Sequence, residues 1–357
     1  MQCGRPNRAC LPASLPRSLP PRVPPQWGFD CMGMAVDLAY LRYASARLSA
    51  YRNVWWSLAN EWSQMACKCG PGGGPGNCSQ AYWDALFAEL QRVDPHGRQR
   101  SIHNDKDYYN HSQPWVGHVS MQCAGAACVD VVVANWTSKT PKPIISDENG
   151  YEGNLTGVHW GNNTAEALVQ RAWVFLAKGA HAGHSETLLP ASDTAACANP
   201  AACNCSVNMW WNHGGGPLLG QSPAALGWLR AFVDAMPVPF AELASVDLAP
   251  GVYWLRSADR AYGVVVFDER VLATPTKATV PLPAQPGGPP GWYVRAVDIM
   301  ARTVTQLGTA PPGDFTFTPP TPGFVLEFAP FSSGLGAAPS HEPLDYSSAG
   351  RTNKLIQ

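Results

Sequence analysis

Residues 53–62 read NVWWSLANEW and carry the strongest indication of the fold. The run 53–59 is short, apolar and aromatic, and polar residues bound it on both sides. Such a run predicts a strand that is buried on both faces, as in a parallel sheet. Asn60 and Glu61 follow this strand directly, at the end where a parallel α/β barrel builds its functional site. We therefore expect Glu61 to be a functional carboxylate.

A second carboxylate ends a strand further along the chain. Residues 141–148 read PKPIISDE, a Pro-rich entry followed by a strand that ends in Glu148. Glycosidic cleavage needs two such groups, because one carboxylic acid protonates the leaving group while one carboxylate attacks or stabilises the anomeric centre. Glu61 and Glu148 meet this requirement. Glu152 is a rival to Glu148, which we favour because it directly ends the strand.

Strands and helices alternate around these two glutamates. Helices are predicted at 35–51, 79–93, 164–178 and 222–236, and further strands at 100–103, 115–121 and 179–186. The segment 129–136 fits either a strand or a helix. This alternation predicts a parallel α/β layout. Short β runs between residues 251 and 329 are separated by Gly and Pro turns, which predicts a small antiparallel β-sandwich domain.

Several motifs fall in an order that resembles one group of enzymes. They are ARLSAYRNVWWSLANE (46–61), RSIHN (100–104), WVGHVSMQ (115–122), DENGYEG (147–153), GHSE (183–186) and WWNHGG (210–215). Together they resemble the retaining glycoside hydrolases of clan A, and more closely a group of barrel glycosidases with a C-terminal β domain. The resemblance covers roughly residues 28–236. It implies a (β/α)8 TIM barrel that acts on a carbohydrate.

The resemblance also implies roles for individual residues. Glu61 matches the acid/base at the end of the fourth strand, and Glu148 matches the nucleophile at the end of the seventh. In a retaining enzyme these carboxyl groups lie ~5–5.5 Å apart. Asn60 matches the residue that binds the sugar 2-hydroxyl next to the scissile bond. The other expected substrate contacts are His118, Tyr151, Glu186 and Trp211. Clan members often have a Tyr two residues after the equivalent of His118, where this chain has Ser120.

Counting from the fourth strand predicts an incomplete barrel. If 53–59 is that strand, about strands 4–8 are present, and we expect the earlier ones to be missing. The predicted domains are a disordered or aberrant N-terminus at 1–27, a partial TIM-barrel glycosidase domain at 28–236, a C-terminal β domain at 240–330 and a disordered tail at 331–357.

Composition limits the expected partners and location. The net charge is −1 and only 14% of residues are charged, so we expect neither nucleic acid nor a membrane surface as a partner. Six Asn-x-Ser/Thr sequons and clustered cysteines favour a secreted glycoprotein, in the secretory pathway or outside the cell. Residues 1–27 nevertheless show no signal-peptide pattern.

The 11 cysteines allow two interpretations. Eight of them cluster as Cys67, Cys69 and Cys78, as Cys123 and Cys128, and as Cys197, Cys203 and Cys205. The C-x-C pairs are compatible with zinc, and the loop setting is compatible with disulfides. Neither C-x-C pair is followed by a second C-x-x-C or by H-x3-H at zinc spacing, so we favour disulfides and expect no metal and no cofactor.

The sequence therefore predicts a retaining O-glycoside hydrolase that cleaves a poly- or oligosaccharide by double displacement. The alternative is an inactive or carbohydrate-binding remnant of such an enzyme, because strands that complete the site are expected to be missing. A metal-dependent hydrolase that uses His and Cys is a third hypothesis. The sequence does not indicate the sugar, the linkage or the oligomeric state.

Overall fold

The structure is a computed structural model. It describes residues 32–64, 68–69, 74–75, 79–104, 107–123, 126–153, 159–184, 220–259, 262–268, 278–284, 291–318 and 324–330. The predicted disordered ends and the Cys-rich segment 190–208 lie outside these residues.

The chain divides into two compact units. The first unit comprises Met1–Gln122, Val133–Asp147 and Ala191–Ser206, and the second comprises Cys123–Val132, Glu148–Pro190 and Val207–Gln357.

The described residues contain five α-helices and fifteen strands. The helices are α1 (Met34–Leu48), α2 (Gln80–Val93), α3 (Ala126–Lys139), α4 (Ala165–Ala177) and α5 (Ser222–Asp234). The strands before α5 are β1 (Trp56–Ser57), β2 (Lys68–Cys69), β3 (Gly74–Pro75), β4 (Arg100–Ser101), β5 (Val119–Gln122), β6 (Ile144–Glu148) and β7 (His181–Ala182). The strands after α5 are β8 (Ala244–Ala249), β9 (Val252–Arg256), β10 (Gly263–Phe267), β11 (Ala278–Leu282), β12 (Trp292–Asp298), β13 (Thr303–Ala310), β14 (Gly313–Phe317) and β15 (Phe324–Pro330).

The first unit contains the parallel strands that the sequence predicted. Strands β1 and β4 pair in parallel, with Trp56 opposite Arg100. Past the end of β4, His103 N–H donates to the carbonyl of Ala59 at 3.0 Å. Next along, Val119 N–H at the start of β5 donates to the carbonyl of Pro143, which directly precedes β6. Glu61, His103, Gln122 and Asp147 lie at or shortly past the carboxyl ends of β1, β4, β5 and β6.

Helices α1 and α2 pack against β1 because apolar side chains recur at helical spacing. Phe87 and Leu90 of α2 are fully buried, in one cluster with Leu41 of α1 and Trp56 of β1. Ser79 caps α2, since its hydroxyl accepts a hydrogen bond from the backbone N–H of Tyr82. Burying large apolar side chains contributes roughly 1.5–3 kcal/mol each, so this cluster holds β1 in place.

Residues 129–136, which fitted a strand or a helix, lie in α3. Val129, Val133 and Trp136 are all buried, at the spacing of one helical face. The β-branched residues of this segment favour a strand. The segment nevertheless forms a helix, because helical spacing places all three apolar side chains on one buried face. In the second unit, Cys123 forms a disulfide with Cys128 of α3, so one pair of the clustered cysteines forms a disulfide, as expected, with one partner in a helix.

The second unit contains a six-stranded antiparallel sheet with the order β13-β12-β15-β10-β9-β8. Strands β11 and β14 form a separate antiparallel pair. Val280 and Leu282 of β11 join a buried cluster with Val265, Phe267 and other residues of the larger sheet. Helix α4 contacts β9 and β10, and it also packs on α5, where Trp173 meets Phe232 edge-on.

The observed architecture confirms the predicted α/β class followed by a C-terminal antiparallel β region. Among the described residues, the parallel strands of the first unit form short pairings and not a closed barrel. Strand β8 was not predicted, because its side chains are mostly exposed and include three small residues. None of the described helices has the length and apolar character needed to cross a membrane.

Candidate active site

Glu61 follows β1 in a constrained backbone conformation. Its φ is 47°, in the left-handed region that residues other than Gly rarely adopt. Its half-buried side chain accepts a hydrogen bond at Oε1 from Gln122 Nε2, at 3.1 Å. Such a conformation costs on the order of 1–3 kcal/mol and is typical of functional positions. The neighbouring Asn60 is exposed, and its role at the sugar 2-hydroxyl stays a prediction.

Asp147 is held by two side chains from neighbouring strand ends of the first unit. Its Oδ1 lies 2.8 Å from His103 Nδ1, which follows β4. Its Oδ2 accepts a hydrogen bond of 2.6 Å from the hydroxyl of Ser120 in β5. His103 and Ser120 are buried, whereas 39% of the Asp147 side chain is exposed. The carboxylate is therefore oriented by buried donors and remains partly accessible.

His118 lies just before β5, two residues before Ser120. Its ring stacks on Trp55, with ring centroids 5.1 Å apart, and it is almost fully buried. Burial lowers the pKa of His118, while the nearby charge of Asp147 opposes this shift. The side chain is therefore suited to the neutral form at pH 7. Its contact with substrate stays a prediction, because it lies near the amino end of β5.

Glu148 belongs to the second unit, where Tyr151 orients it. The Tyr151 hydroxyl donates a hydrogen bond to Glu148 Oε1 at 2.9 Å. The Tyr151 ring in turn packs edge-on against Trp160, with centroids 5.6 Å apart. Tyr151 was predicted to contact substrate. The structure places it beside the predicted nucleophile.

Arg171 and Asn163 support the turn that follows Glu148. Arg171 in α4 is buried and donates to the carbonyl of Asn149 at 2.8 Å and to Asn163 Oδ1 at 2.9 Å. Gly150 has a φ of 93°, and a Cβ there would lie 2.9 Å from Arg171 Nη1. The turn therefore requires glycine for both its conformation and its space.

Glu152, the rival nucleophile, is bound to the N-terminus of α5. Its two carboxylate oxygens accept hydrogen bonds from the backbone N–H groups of Gln221 and Ser222 and from the Ser222 hydroxyl, at 2.6–3.0 Å. These are the unpaired donors that a helix N-terminus presents, and its dipole favours a negative charge there. Glu152 is also buried. Its position is that of a helix cap, which supports the preference for Glu148.

Two predicted substrate contacts, Glu186 and Trp211, lie outside the described residues. His184 lies close to Glu186 in the sequence, and its Nε2 is 3.1 Å from the Ser222 hydroxyl. Burial lowers the pKa of His184, and the charge of Glu152 opposes this shift. This histidine thus belongs to the α5 cap.

Gln122, His103, Ser120 and Asp147 were not among the predicted site residues. Each lies in or directly after a predicted strand of the α/β region, which is the signal that identified Glu61. Sequence alone did not show that His103 and Ser120 share one carboxylate.

No group of three or more His, Cys, Asp or Glu side chains could hold a metal ion within the described ranges. The C-x-C pairs that would support zinc include Cys67, Cys203 and Cys205, which lie outside those ranges. The arrangement described above is one of carboxylates held by neutral hydrogen-bond donors.

Strand-end carboxylates on an α/β fold define a candidate hydrolase, and comparison with known proteins identifies the class. A family model of a glycosidase catalytic domain matches part of the chain, which bears out the resemblance seen in the sequence. More narrowly, residues 21–185, just under half of the chain, match the family model of the apiosidase-like catalytic domain. No curated protein matches the chain significantly.

Solved structures of similar fold include glycoside hydrolases. A candidate glycoside hydrolase from Bacteroides vulgatus ATCC 8482 has a TM-score of 0.64 and 24% identity, over 85% of this chain and 57% of that one. A family 5 glycoside hydrolase from the same organism has a TM-score of 0.59 and 16% identity, over 84% and 67%. A further glycoside hydrolase has a TM-score of 0.61 and 14% identity, over 84% and 70%. These similarities concern the fold, and this chain spans 57% of the first structure's length.

Proposed function

We propose that this protein is a retaining O-glycoside hydrolase that acts on a poly- or oligosaccharide, with Glu148 as the nucleophile and Glu61 as the acid/base. The observation that carries the proposal is the position of Glu61. It lies four residues past the parallel strand β1, has a strained backbone and lies within the segment that matches a glycosidase family. The hydrogen bond from Gln122 orients its carboxyl group.

Each carboxyl group has a separate task in the proposed mechanism. Glu148 attacks the anomeric carbon and forms a glycosyl-enzyme ester, while Glu61 donates a proton to the departing oxygen. Glu61 then removes a proton from water, which attacks the ester and releases the sugar with its original anomeric configuration. The Tyr151 hydroxyl holds the Glu148 carboxylate during attack. No step needs a cofactor.

The test is turnover of nitrophenyl glycosides by the full chain and by variants at both glutamates. Glu148→Gln is expected to lower kcat by at least about a thousandfold, because the amide is not a nucleophile. Glu61→Gln is expected to lower turnover of these nitrophenyl glycosides by about 10²–10⁴-fold, because the variant cannot activate the water that cleaves the glycosyl-enzyme ester. Added azide restores turnover, because it attacks the ester in place of water without needing a base. Glu242→Gln, at an exposed position outside the site, is the matched control.

The outcomes separate the proposal from its alternative. Turnover that persists in a folded Glu148→Gln variant contradicts the assigned nucleophile. Sugar binding without turnover in the unaltered chain identifies a carbohydrate-binding remnant instead. Loss of turnover on adding a chelator indicates the metal-dependent hydrolase.

A further inference from the structure

We propose that Asp147 is a substrate-binding residue whose carboxylate accepts hydrogen bonds from sugar hydroxyl groups, and that His103 and Ser120 are the positioning residues that hold it. The inference rests on the proposed glycosidase function. It adds a third carboxylate to the site and a preference for neutral over acidic sugars.

The hydrogen bonds of Asp147 leave it able to accept more. Each carboxylate oxygen has one described partner, His103 Nδ1 at 2.8 Å and Ser120 Oγ at 2.6 Å. An ionised carboxylate has about four acceptor positions, so each oxygen keeps the capacity for a further donor. The exposed 39% of the side chain makes that capacity accessible to a ligand.

His103 and Ser120 are buried whereas Asp147 is partly exposed, which indicates that the two buried residues serve to position the Asp147 carboxylate. The side chain of His103 is 6% exposed and Ser120 is 1% exposed, so both donors are removed from water. Charge-assisted hydrogen bonds of this kind are shorter and stronger than neutral ones. Fixing a single orientation before the ligand arrives reduces the entropy lost on binding.

Asp147 and Glu61 are both bonded from one face of β5. Ser120 and Gln122 are two residues apart in β5, so their side chains point to the same face. Ser120 donates to Asp147, and Gln122 donates to Glu61. Strand β5 therefore links the Asp147 carboxylate to that of the proposed acid/base.

The chemistry of this carboxylate selects the kind of sugar. Hydroxyl groups are the donors that a neutral sugar offers, and a carboxylate accepts them strongly. A uronic acid would bring a second negative charge close to Asp147, and like charges in a partly buried site repel. We therefore expect neutral glycosides to be preferred at this position.

The experiment measures KM and kcat for the full chain with nitrophenyl xyloside, glucoside, galactoside and glucuronide. Asp147→Asn is expected to raise KM for the preferred neutral glycoside by about tenfold or more, to lower kcat less, and to reduce discrimination against the glucuronide. Ser120→Ala is expected to raise KM by a smaller factor, and Ser120→Thr, which keeps the hydroxyl, to restore it. In the double variant, Ser120→Ala should raise KM little beyond the value of Asp147→Asn alone. The reason is that Ser120 acts through Asp147, and the effects of two such coupled residues do not add.

An unchanged KM in a folded Asp147→Asn variant overturns this inference, whereas turnover retained by Glu148→Gln overturns the proposed function instead. If the unaltered chain hydrolyses none of these glycosides, saturation-transfer NMR with xylose, glucose, galactose and glucuronate replaces turnover as the readout. Weaker binding of a neutral sugar by Asp147→Asn then supports the inference. Equal binding by both proteins, or binding by neither, overturns it.

Discussion

Glu148 and Glu152 lie in one turn, yet their surroundings suit them to different tasks. Glu152 accepts hydrogen bonds from the donors of a helix N-terminus and is buried. Glu148 is half-buried, and its Oε1 accepts a hydrogen bond from the Tyr151 hydroxyl. In the sequence, only their distance from the strand separates the two glutamates. The hydrogen bonds supply that basis.

Removing the Tyr151 hydroxyl should weaken catalysis without disturbing the fold. A hydrogen bond to a charged group contributes about 1.5–3 kcal/mol, so we expect Tyr151→Phe to lower kcat by about tenfold to a hundredfold. The measurement is steady-state turnover of the best glycoside, with circular dichroism as a check of folding. The edge-on contact with Trp160 is kept, since the aromatic ring remains. Full activity in Tyr151→Phe contradicts the orienting role.

Gly220 should be intolerant of a side chain because the cap of α5 occupies the space beside it. Its φ is +84°, and a Cβ there would lie 2.4 Å from Glu152 Oε1. Gly220→Ala should therefore lower the free energy of unfolding by about 1–2 kcal/mol through the strained backbone conformation. Displacement of the Glu152 cap should lower it further. Gly179→Ala is the matched control, because Gly179 has a φ of +76° and open space around it. Equal urea midpoints for the two variants would contradict the steric argument.

At the scale of elements, the N-terminus of α5 depends on a carboxylate that is distant in sequence. Its own N-cap residue, Gln221, makes no side-chain capping bond, and Glu152 supplies the acceptors instead. We expect Glu152→Ala to lower the free energy of unfolding by about 2–3 kcal/mol, since buried donors lose a charged partner. Chemical denaturation measures this loss, and the exposed Glu242→Ala serves as control. A loss below about 0.5 kcal/mol would show that water replaces the cap.

The elements that the sequence predicted best are the helices whose buried residues recur at helical spacing. Helices α2, α4 and α5 lie close to their predicted positions, because their buried residues recur at helical spacing and Ser79 and Thr164 cap the first two. The run 53–59 was predicted as a strand, but only Trp56 and Ser57 have strand geometry. Very short strands carry too few residues for sequence to place their bounds.

The position of a carboxylate after a predicted strand can be read from the sequence, and it is the basis on which Glu61 and Glu148 were predicted. Their catalytic roles stay predictions. The partners of these residues depend on register between strands, which brings Gln122 to Glu61 and Ser120 to Asp147. Register is a tertiary property, so a single sequence left these partners unassigned.

At the scale of the whole molecule, buried His111 should make stability depend on pH. Burial lowers its pKa to about 4, from an ordinary value near 6.5. Between these two values the unfolded chain binds more protons than the folded one, so stability falls as pH decreases through this range. Through His111, the free energy of unfolding falls by about 2 kcal/mol between pH 7 and pH 5.

Urea unfolding at pH 7 and pH 5 tests this dependence. His111→Phe removes the titrating group and keeps an aromatic ring against Tyr109 and Trp136, so the loss between the two pH values should shrink. His96→Gln, at an exposed position, should leave the loss unchanged. An undiminished pH dependence in His111→Phe would assign the effect to other groups, of which His118 is the first to consider.

The hydrogen bonds around Asn163 have a consequence for how this protein can diversify. They join the chain before residue 154 to the chain after residue 158, through Gly153 N–H to the Asn163 carbonyl and Tyr151 N–H to the Trp160 carbonyl. The two ends of that short stretch are thus anchored independently of what connects them. Changes in the length of the connecting stretch should therefore leave the Tyr151 hydroxyl in its place beside Glu148.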